Sequence, residues 1–314
     1  MYKGRTRLIV AFLLPATLLY AVFFAWPALQ SLYLSLFEWS GIGEKTYVGL
    51  RNFRELLPIL EVNVDSQFPF LHPSYRDVFF WPSVEHTLII VILGGVITFG
   101  LAFVLTTVLS SGIRGKKFFR MVIFAPNVVA AIALSLLWAQ IYNPRHGLLK
   151  NILLRLGQEE LAKTPWLGPD RALISTLVAM CWVWVGFNLV LLLAAVDQIP
   201  QDLFDAAKVD GANPFQIFTK VTIPLIWDVV TIAVINFSIT ALRVLEFPFI
   251  IKGLQCPPQL YTLAIYNYVL GFGRREPIWR MGKAAAVAVL MQIMVIMLIL
   301  VFMRLFRRET VEYS

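Results

Sequence analysis

The sequence predicts an all-α membrane protein with six transmembrane helices, and composition and hydrophobic pattern both lead to this fold class. Of the 314 residues, 59% are hydrophobic and only 15% are charged, and the mean hydropathy is +0.74. This composition is too apolar for a soluble domain. Six segments also reach the roughly 20 mainly apolar residues that a helix needs to cross a bilayer. These segments are residues 8–37, 83–110, 119–142, 171–197, 225–251 and 282–304.

The positions of the basic residues predict that both termini face the cytoplasm. Lys and Arg are concentrated in residues 1–7, in the tight turn 111–120 and in the tail from residue 304 onward. Six spans place these three segments on the same side, and short segments rich in Lys and Arg stay in the cytoplasm. The excess of basic residues, which gives the net charge of +8, is therefore interpreted as a signal of membrane orientation. Nucleic acid is not expected as a partner.

Residues 201–224, called here the 201–224 loop, are the one long polar interruption in the more hydrophobic half of the chain. They predict two short helices on the cytoplasmic side. Pro200 suits the first turn of the first helix, and Gly211 stands where that helix ends in a left-handed residue. Asn213 and Pro214 form a cap and first-turn pair for the second helix, which is predicted to end before Pro224.

This loop resembles the EAA loop of the inner-membrane subunits of binding-protein-dependent ABC importers. The family pattern is Glu-Ala-Ala, three residues, Gly, nine residues and Ile-x-Leu-Pro. The spacing here is the same, and Asp, Val and Ile stand for the family's Glu, Ile and Leu: Asp205-Ala206-Ala207, Gly211 and Val221-Thr222-Ile223-Pro224. The alternative interpretation is an amphipathic hairpin that only lies on the membrane surface.

The resemblance implies that the loop is a coupling helix that docks in a cleft of a cytoplasmic ATPase subunit. It implies the type I ABC importer fold of the maltose-permease kind. The expected organisation is a first helix with a periplasmic segment (1–82), a five-helix core (83–305) and a cytoplasmic tail (306–314). The expected ATPase-coupling residues are Asp205, Ala206, Ala207, Asp210, Gly211 and Pro224.

Two further stretches resemble the sugar-permease branch of this family. The run from Phe37-Glu38-Trp39 to Val48-Gly49-Leu50-Arg51-Asn52-Phe53 is similar to its "F-x-W…F-V-G-L-x-N-F", and Gly282-Lys283-Ala284-Ala285-Ala286 to its "G-x-A-A-A". Residues 58–82 look like an insertion, and the stretch from Lys252 to Pro258 departs from the Gly-rich loop of many sugar permeases.

The resemblance implies import of a carbohydrate across a bacterial cytoplasmic (inner) membrane. The implied partners are a second homologous permease subunit, two ATP-binding subunits, a substrate-binding protein and the lipid bilayer. ATP and Mg²⁺ would be bound by the partner ATPases, so this chain is expected to need no cofactor of its own.

No motif in the chain predicts catalysis or metal binding. Residues 112–117 have the wrong spacing for a phosphate-binding loop, so the chain is not expected to hydrolyse ATP itself. His72, His86 and His146 lack the spacing of metal ligands. The two cysteines, Cys181 and Cys256, do not predict a disulfide framework.

Polar residues inside the spans are candidates for the substrate pathway, because such residues are costly in lipid and usually face an interior. In the fifth span four of them follow intervals of four, three and three, which keeps them on one helix face. Interhelical hydrogen bonding, or a local ion pair of Arg243 with Glu246, is the structural alternative. The candidates are Asn188, Asn236, Thr240, Arg243, Glu246 and Gln292.

Other readings of the chain remain open at this point. Trp182 and Trp184 could stack on a sugar ring, although lipid or helix packing is favoured.

An independent secondary transporter or channel, or a membrane-embedded enzyme, is the alternative to an importer subunit. An independent transporter often has an internal repeat and interrupted helices, neither of which the sequence indicates. Purification distinguishes these classes, because an importer subunit copurifies with a second permease and two ATPase copies.

The topology predicts which positions a membrane-impermeant thiol reagent reaches in intact cells. In a chain whose native cysteines have been replaced, Asp65→Cys should be labelled from outside because residues 38–82 face outward. Asp210→Cys should be labelled only after permeabilisation, since the 201–224 loop faces the cytoplasm. Labelling of Asp210→Cys in intact cells would overturn the predicted orientation.

Overall fold

A computed structural model of the chain describes residues 3–57, 79–111, 113–252, 256–273 and 279–306, with side chains from residue 11 onward. Most of the predicted insertion, His72 and the end of the tail lie outside the described residues. Within these ranges, the regular structure is helical apart from one short ladder. The elements are α1 (Lys3–Tyr20), a π-helix (Ala21–Ala25), α2 (Trp26–Leu34), β1 (Phe37–Glu38), β2 (Thr46–Tyr47), α3 (Arg51–Leu56), α4 (Phe80–Ser110), α5 (Lys116–Phe124), a 3₁₀ turn (Ala125–Val128), α6 (Ala131–Ile141), α7 (Leu148–Arg155), α8 (Glu159–Lys163), α9 (Ala172–Val196), α10 (Gln201–Val209), α11 (Pro214–Ile217), a π-helix (Phe218–Thr222), α12 (Ile223–Leu225), α13 (Trp227–Leu242), α14 (Glu246–Ile250), a 3₁₀ turn (Pro258–Leu260), α15 (Leu263–Phe272) and α16 (Met281–Leu305).

Five of the predicted spans are matched by helical stretches long and apolar enough to cross a membrane. They are Ala11–Leu34, Phe80–Ser110, Ala172–Val196, Trp227–Ile250 and Met281–Leu305. The sixth would be the pair Lys116–Val128 and Ala131–Ile141, whose two parts are bent by 100°. The described residues therefore contain five such spans, or six if the bent pair is taken as one span.

The third predicted span, 119–142, is not one straight helix, because the chain breaks between Val128 and Ala131. Pro126 begins the break, since a proline has no N–H for the preceding turn. Asn127 Nδ2 donates to the carbonyl oxygen of Val183 on α9 at 2.9 Å, which fixes the broken segment to a neighbouring helix. Non-helical backbone at membrane depth has to lie against protein or line a water-filled cavity.

The fifth predicted span is also interrupted, near its C-terminal end. Pro248 lacks the N–H that would bond the carbonyl of Val244 in a continuous helix. The hydroxyl of Thr262 donates to that carbonyl at 2.8 Å instead. Arg243 therefore caps the end of α13 and Glu246 begins α14, so the prediction that both continue one regular helix is wrong.

The chain divides into two compact units. Residues 1–80 with 266–294 form the first, and residues 81–265 with 295–314 form the second. The predicted division into 1–82, 83–305 and 306–314 stays a prediction.

Within the second unit, a stripe of small, buried residues on α4 recurs every fourth position. Small residues allow helices in membranes to approach closely. A Cβ added at Gly94 would lie 3.0 Å from Leu177 of α9 and 3.6 Å from Trp184, so these two helices are in contact. The stripe consists of Gly94, Thr98, Ala102 and Thr106.

In the first unit, the span Ala11–Leu34 contains a π-helix just before Pro27. The missing N–H of Pro27 leaves the preceding turn without one bond, and a wide turn accommodates this. After α2, the chain forms a two-residue antiparallel ladder, in which Phe37 pairs with Tyr47. Helix α3 follows the ladder directly.

A pair of glycine variants tests the packing of α5 and the following turn on α9. A Cβ at Gly186 would overlap the carbonyl oxygen of Ile123 and the Asn127 amide, whereas a Cβ at Gly100 would meet nothing within 4 Å. Gly186→Ala should destabilise the protein by about 1–3 kcal/mol because the helices must separate. Gly100→Ala should leave stability unchanged or slightly higher, since Ala favours a helix. Thermal unfolding of the purified variants measures both, and equal melting temperatures would contradict this account of the packing.

Candidate functional site

The first half of the 201–224 loop is a short helix with a glycine stop, as the sequence predicts. Helix α10 ends at Val209, and Gly211 has a φ of +77°. The Gly211 N–H donates to the carbonyl of Lys208 at 3.0 Å, and the Ala212 N–H donates to that of Ala207 at 3.0 Å. This pair of bonds is a Schellman motif, which satisfies carbonyls that the helix end leaves free.

The second half begins with the predicted cap but continues further than expected. Asn213 and Gln216 form a capping box, each side chain bonding the other's backbone N–H at 2.9 Å. The predicted end before Pro224 is wrong, because a π-helix and α12 carry the helical run to Leu225. The backbone leaves helical dihedral angles at Ile226, whose φ and ψ are −100° and 15°. Pro224 is tolerated since it stands in the first turn of α12.

Several residues of the 201–224 loop are exposed to solvent, including two apolar ones that are not among the predicted coupling residues. Val209 is 88% exposed and Phe215 is 73% exposed. Exposed apolar side chains of this size on adjacent short helices are typical of a contact surface. The predicted coupling residues Asp205, Ala206, Asp210, Gly211 and Pro224 are exposed too, and Ala207 is half-buried.

Asp205 takes part in hydrogen bonds on the surface of α10. Its carboxylate accepts from Lys208 Nζ at 2.9 Å and from Gln201 Nε2 at 3.4 Å. The hydrogen bond from Lys208, with that from Gln201 and the charge of Lys208, lowers the pKa of Asp205 below its ordinary value. The carboxylate is therefore ionised at neutral pH.

Three contacts connect the 201–224 loop and its flanks to the rest of the second unit. Phe218 of the π-helix meets Phe103 of α4 edge-on, with ring centroids 5.9 Å apart. Lys116 Nζ lies 2.7 Å from the carboxylate of Asp197, just before the loop. Trp227 Nε1, just after it, donates to a backbone carbonyl of the C-terminal stretch, that of Phe306, at 2.9 Å.

One face of α13 forms an exposed stripe that carries three polar residues. Asp228, Ile232, Asn236 and Thr240 recur every fourth residue, and all four are exposed. Ile232, which sequence analysis did not single out, is 63% exposed. Polar side chains are costly in contact with lipid, so we expect the polar residues of this stripe to face protein or a water-filled cavity.

The other pathway candidates lie in different surroundings. Arg243 and Glu246 are exposed, but on the two sides of the break after α13. Asn188 is only 4% exposed, and its amide donates to the carbonyl of Trp184 in its own helix at 3.0 Å. Gln292 is exposed and belongs to the first unit. The structure therefore places Asn236 and Thr240 on one open face and does not place Asn188 there.

The tryptophans considered as sugar platforms are engaged in aromatic packing. The ring of Trp184 lies 5.2 Å from that of Phe237 in a perpendicular arrangement. Trp182, which is 45% exposed, meets Trp138 edge-on at 5.7 Å. These contacts are consistent with the packing interpretation.

The described histidines are used in hydrogen bonding. His86 Nδ1 lies 3.0 Å from the carbonyl of Tyr261, and His146 Nε2 lies 3.3 Å from the side-chain oxygen of Gln140. Across the described part of the chain, no three His, Cys, Asp or Glu side chains are grouped as metal ligands.

The family model for the inner membrane component of binding-protein-dependent transport systems matches residues 8–310. The chain belongs to this family. The permease is 30% identical over 300 residues to the probable ABC transporter permease protein YurN of Bacillus subtilis strain 168, with 94% of each chain covered. It is also 30% identical to the trehalose/maltose transport system permease protein MalF of Thermococcus litoralis, over 95% of this chain and 93% of that one.

A solved structure shares the fold of the permease. A chain of a bacterial ABC transporter involved in the import of the acidic polysaccharide alginate matches with a TM-score of 0.77 at 20% identity, covering 98% of this chain and 97% of that chain. The expected ABC importer permease fold is therefore confirmed. Family membership makes the chain a multi-pass transporter permease and not an enzyme by itself. The alternative interpretations as an independent transporter, a channel or an enzyme are therefore rejected.

Proposed function

We propose that this permease subunit imports a carbohydrate that a substrate-binding protein delivers at the outer face. A second, homologous permease forms the other half of the pathway, and two partner ATPases, which bind ATP and Mg²⁺, drive transport. Both termini and the 201–224 loop lie on the cytoplasmic side of the bacterial inner membrane. The observation that carries this proposal is the exposed 201–224 loop, which continues by helical turns toward the polar stripe of α13.

The substrate class rests on the relatives and on the sequence pattern. The names of the matched proteins specify trehalose and maltose in one case and an acidic polysaccharide in another. The sugar-permease features of residues 37–53 and 282–286 agree with them. ATPase activity of the reconstituted complex, measured with its binding protein over a panel of mono- and oligosaccharides, tests this class. Stimulation by none of them would argue against a carbohydrate.

Coupling requires the 201–224 loop to transmit a displacement from the ATPase to α13 without bending. The Schellman turn at Gly211 and the capping box at Asn213 fix the angle between α10 and α11. From Pro214 the helical run reaches Leu225, and α13 starts two residues later. Movement of a docked α10 would therefore displace the start of α13, with Val209 and Phe215 providing apolar contact to the ATPase.

The pathway step assigns the open face of α13 to the substrate. Asn236 and Thr240 supply amide and hydroxyl groups that can bond sugar hydroxyls. Asp228 and Arg243 add charge nearer the two ends of the helix. Ile232 lies between Asp228 and Asn236 on this face and is its one apolar position. The second permease would cover this face on its other side, so that its polar groups do not meet lipid.

A glycine pair tests the coupling role of the loop. Gly211→Val forces a β-branched residue into a positive φ, at a cost of about 1–2 kcal/mol. It also adds bulk at the docking surface. Gly157→Val is the matched control, because Gly157 also has a positive φ (+73°) and, like Gly211, has nothing within 4 Å of an added Cβ. Only Gly211→Val should lose ATPase copurification or coupled transport.

A second variant of the loop acts without backbone strain. Ala207→Arg places a charged, bulky side chain on the half-buried face of α10, where docking would bury it unpaired. It should assemble with the second permease yet bind the ATPase weakly. Wild-type ATPase retention and uptake in both Gly211→Val and Ala207→Arg would show that this loop is not the coupling element.

The stripe on α13 is tested by leucine substitutions. Asn236→Leu and Thr240→Leu should lower sugar-stimulated ATPase activity or transport several-fold while the complex still assembles, because each removes hydrogen-bonding groups worth about 0.5–1.5 kcal/mol. Thr231→Leu is the control. Thr231 makes the same hydroxyl bond to the fourth preceding carbonyl as Thr240, at 2.9 Å, but lies on the opposite face. Unchanged affinity and rate for Asn236→Leu and Thr240→Leu would assign them to helix packing.

A further inference from the structure

A cluster of basic residues lies where α5 begins. The basic turn, defined as residues 113–120, lies between α4 and the second turn of α5 and contains no Asp or Glu. Gly115 has a φ of +88°, and the Phe119 N–H donates to the Gly115 carbonyl at 3.1 Å, so a tight turn leads directly into the helix. The cations of this turn are Arg114, Lys116, Lys117 and Arg120.

In the part of the chain that the structure describes, one of these four cations has a carboxylate partner. Lys116 Nζ lies 2.7 Å from Asp197, just after α9. Arg114 and Lys117 are exposed, and Arg120 is half-buried one helical turn after Lys116; none of the three has an ion pair among the described residues. Partial burial of a charge is costly unless an anion compensates it. The basic turn therefore carries positive charge that the described protein groups leave uncompensated.

The side of α5 that adjoins these cations is exposed and apolar. Phe118, Met121 and Val122 are 61%, 66% and 51% exposed. Lys117 and Met121 are four residues apart, so a cation and an apolar side chain follow each other on one helix face. A helix that combines Lys and Arg with exposed aromatic and aliphatic side chains is typical of the boundary between lipid headgroups and acyl chains.

The combination of charge and apolar surface selects an anionic phospholipid as the ligand. Clusters of Lys and Arg at the end of a membrane helix attract anionic headgroups. A guanidinium binds phosphate oxygens through two parallel N–H···O bonds, which a half-buried arginine such as Arg120 can present in a fixed direction. A soluble anion would meet the same cations but would leave the adjoining apolar side chains without a contact.

We propose that the basic turn binds the phosphate of an anionic phospholipid, whose acyl chains lie against the exposed apolar side chains of α5. Arg120 bonds the phosphate through its guanidinium, and Arg114 and Lys117 add positive charge from the turn. Lys116 stays with Asp197 and holds the turn beside the end of α9. This site depends neither on the identity of the substrate nor on the coupling role of the 201–224 loop, and it does not depend on which side of the membrane the turn faces.

Lipid selectivity beside α5 is measured in the purified importer complex, reconstituted in nanodiscs of phosphatidylcholine. In a chain whose native cysteines have been replaced, Met121→Cys carries a bimane fluorophore. Phosphatidylglycerol or phosphatidylcholine with a quenching doxyl group is then added, and the preference is the ratio of the two mole fractions that halve the fluorescence. Phosphatidylglycerol should be preferred by more than roughly tenfold, because three uncompensated cations concentrate it beside α5.

Single substitutions in the basic turn should lower this preference. Arg114→Gln, Lys117→Gln and Arg120→Gln should each lower it by roughly fivefold, since each removes one cation from the membrane surface. Arg120→Lys should lower it less than Arg120→Gln, because lysine keeps the charge and loses only the fork of donors. Arg155→Gln is the matched control. It removes an exposed cation of α7, outside the basic turn, and should leave the preference at position 121 unchanged.

Three outcomes would overturn the lipid site. The first is equal quenching by the two lipids when the basic turn is intact. The second is a preference in Arg114→Gln, Lys117→Gln and Arg120→Gln equal to that of Arg155→Gln. The third is loss of the preference on addition of millimolar inorganic phosphate at constant ionic strength, which would assign the cations to a soluble anion. If Arg120→Gln fails to assemble, the two exposed positions carry the test, because their side chains are not part of the packing on α9.

Discussion

Backbone hydrogen bonding at membrane depth is the constraint on which the course of the transmembrane helices depends. Lipid offers no partner to a free carbonyl, so each proline in a span has to be compensated by protein. The compensation differs at each site. Near Pro126 the helix breaks and the Asn127 amide bonds to α9. In the span Ala11–Leu34, a π-helix precedes Pro27. At Pro248, the Thr262 hydroxyl takes the carbonyl that the proline cannot bond.

These breaks leave a continuous helical connection where the proposed mechanism needs one. From Pro214 to Leu225 the backbone is helical in either the α or the π form, and α13 follows after one residue. Contacts of Phe218 with Phe103 and of Lys116 with Asp197 support the two sides of this connection. The 201–224 loop is therefore supported by its own unit, while Val209 and Phe215 on its surface stay exposed.

Residues 37–57, which contain the β1–β2 ladder and α3, contact the start of α16 through charged side chains and through the Gly282 N–H, which donates to the carbonyl of Trp39. Lys283 is buried beside Glu55, and Glu55 is held by Arg51, so each charge has an opposite neighbour. The two sequence stretches that resemble sugar permeases are thus physically joined. Their residue types follow from this contact: glycine at 282 for close approach, and an amide at 52 for free carbonyls.

The sequence by itself determined the features that depend on local chemistry. Periodicity and length located five of the spans, Gly211 and Asn213 identified the turn and the cap of the 201–224 loop, and the EAA spacing identified the family. The tertiary structure decided what depends on distant partners. Asn188 and Asn236 are the same residue type in similar spans, yet Asn188 is buried and bonds its own helix while Asn236 is exposed. Neighbouring helices make that difference, because a span's own sequence does not specify which of its faces another helix covers.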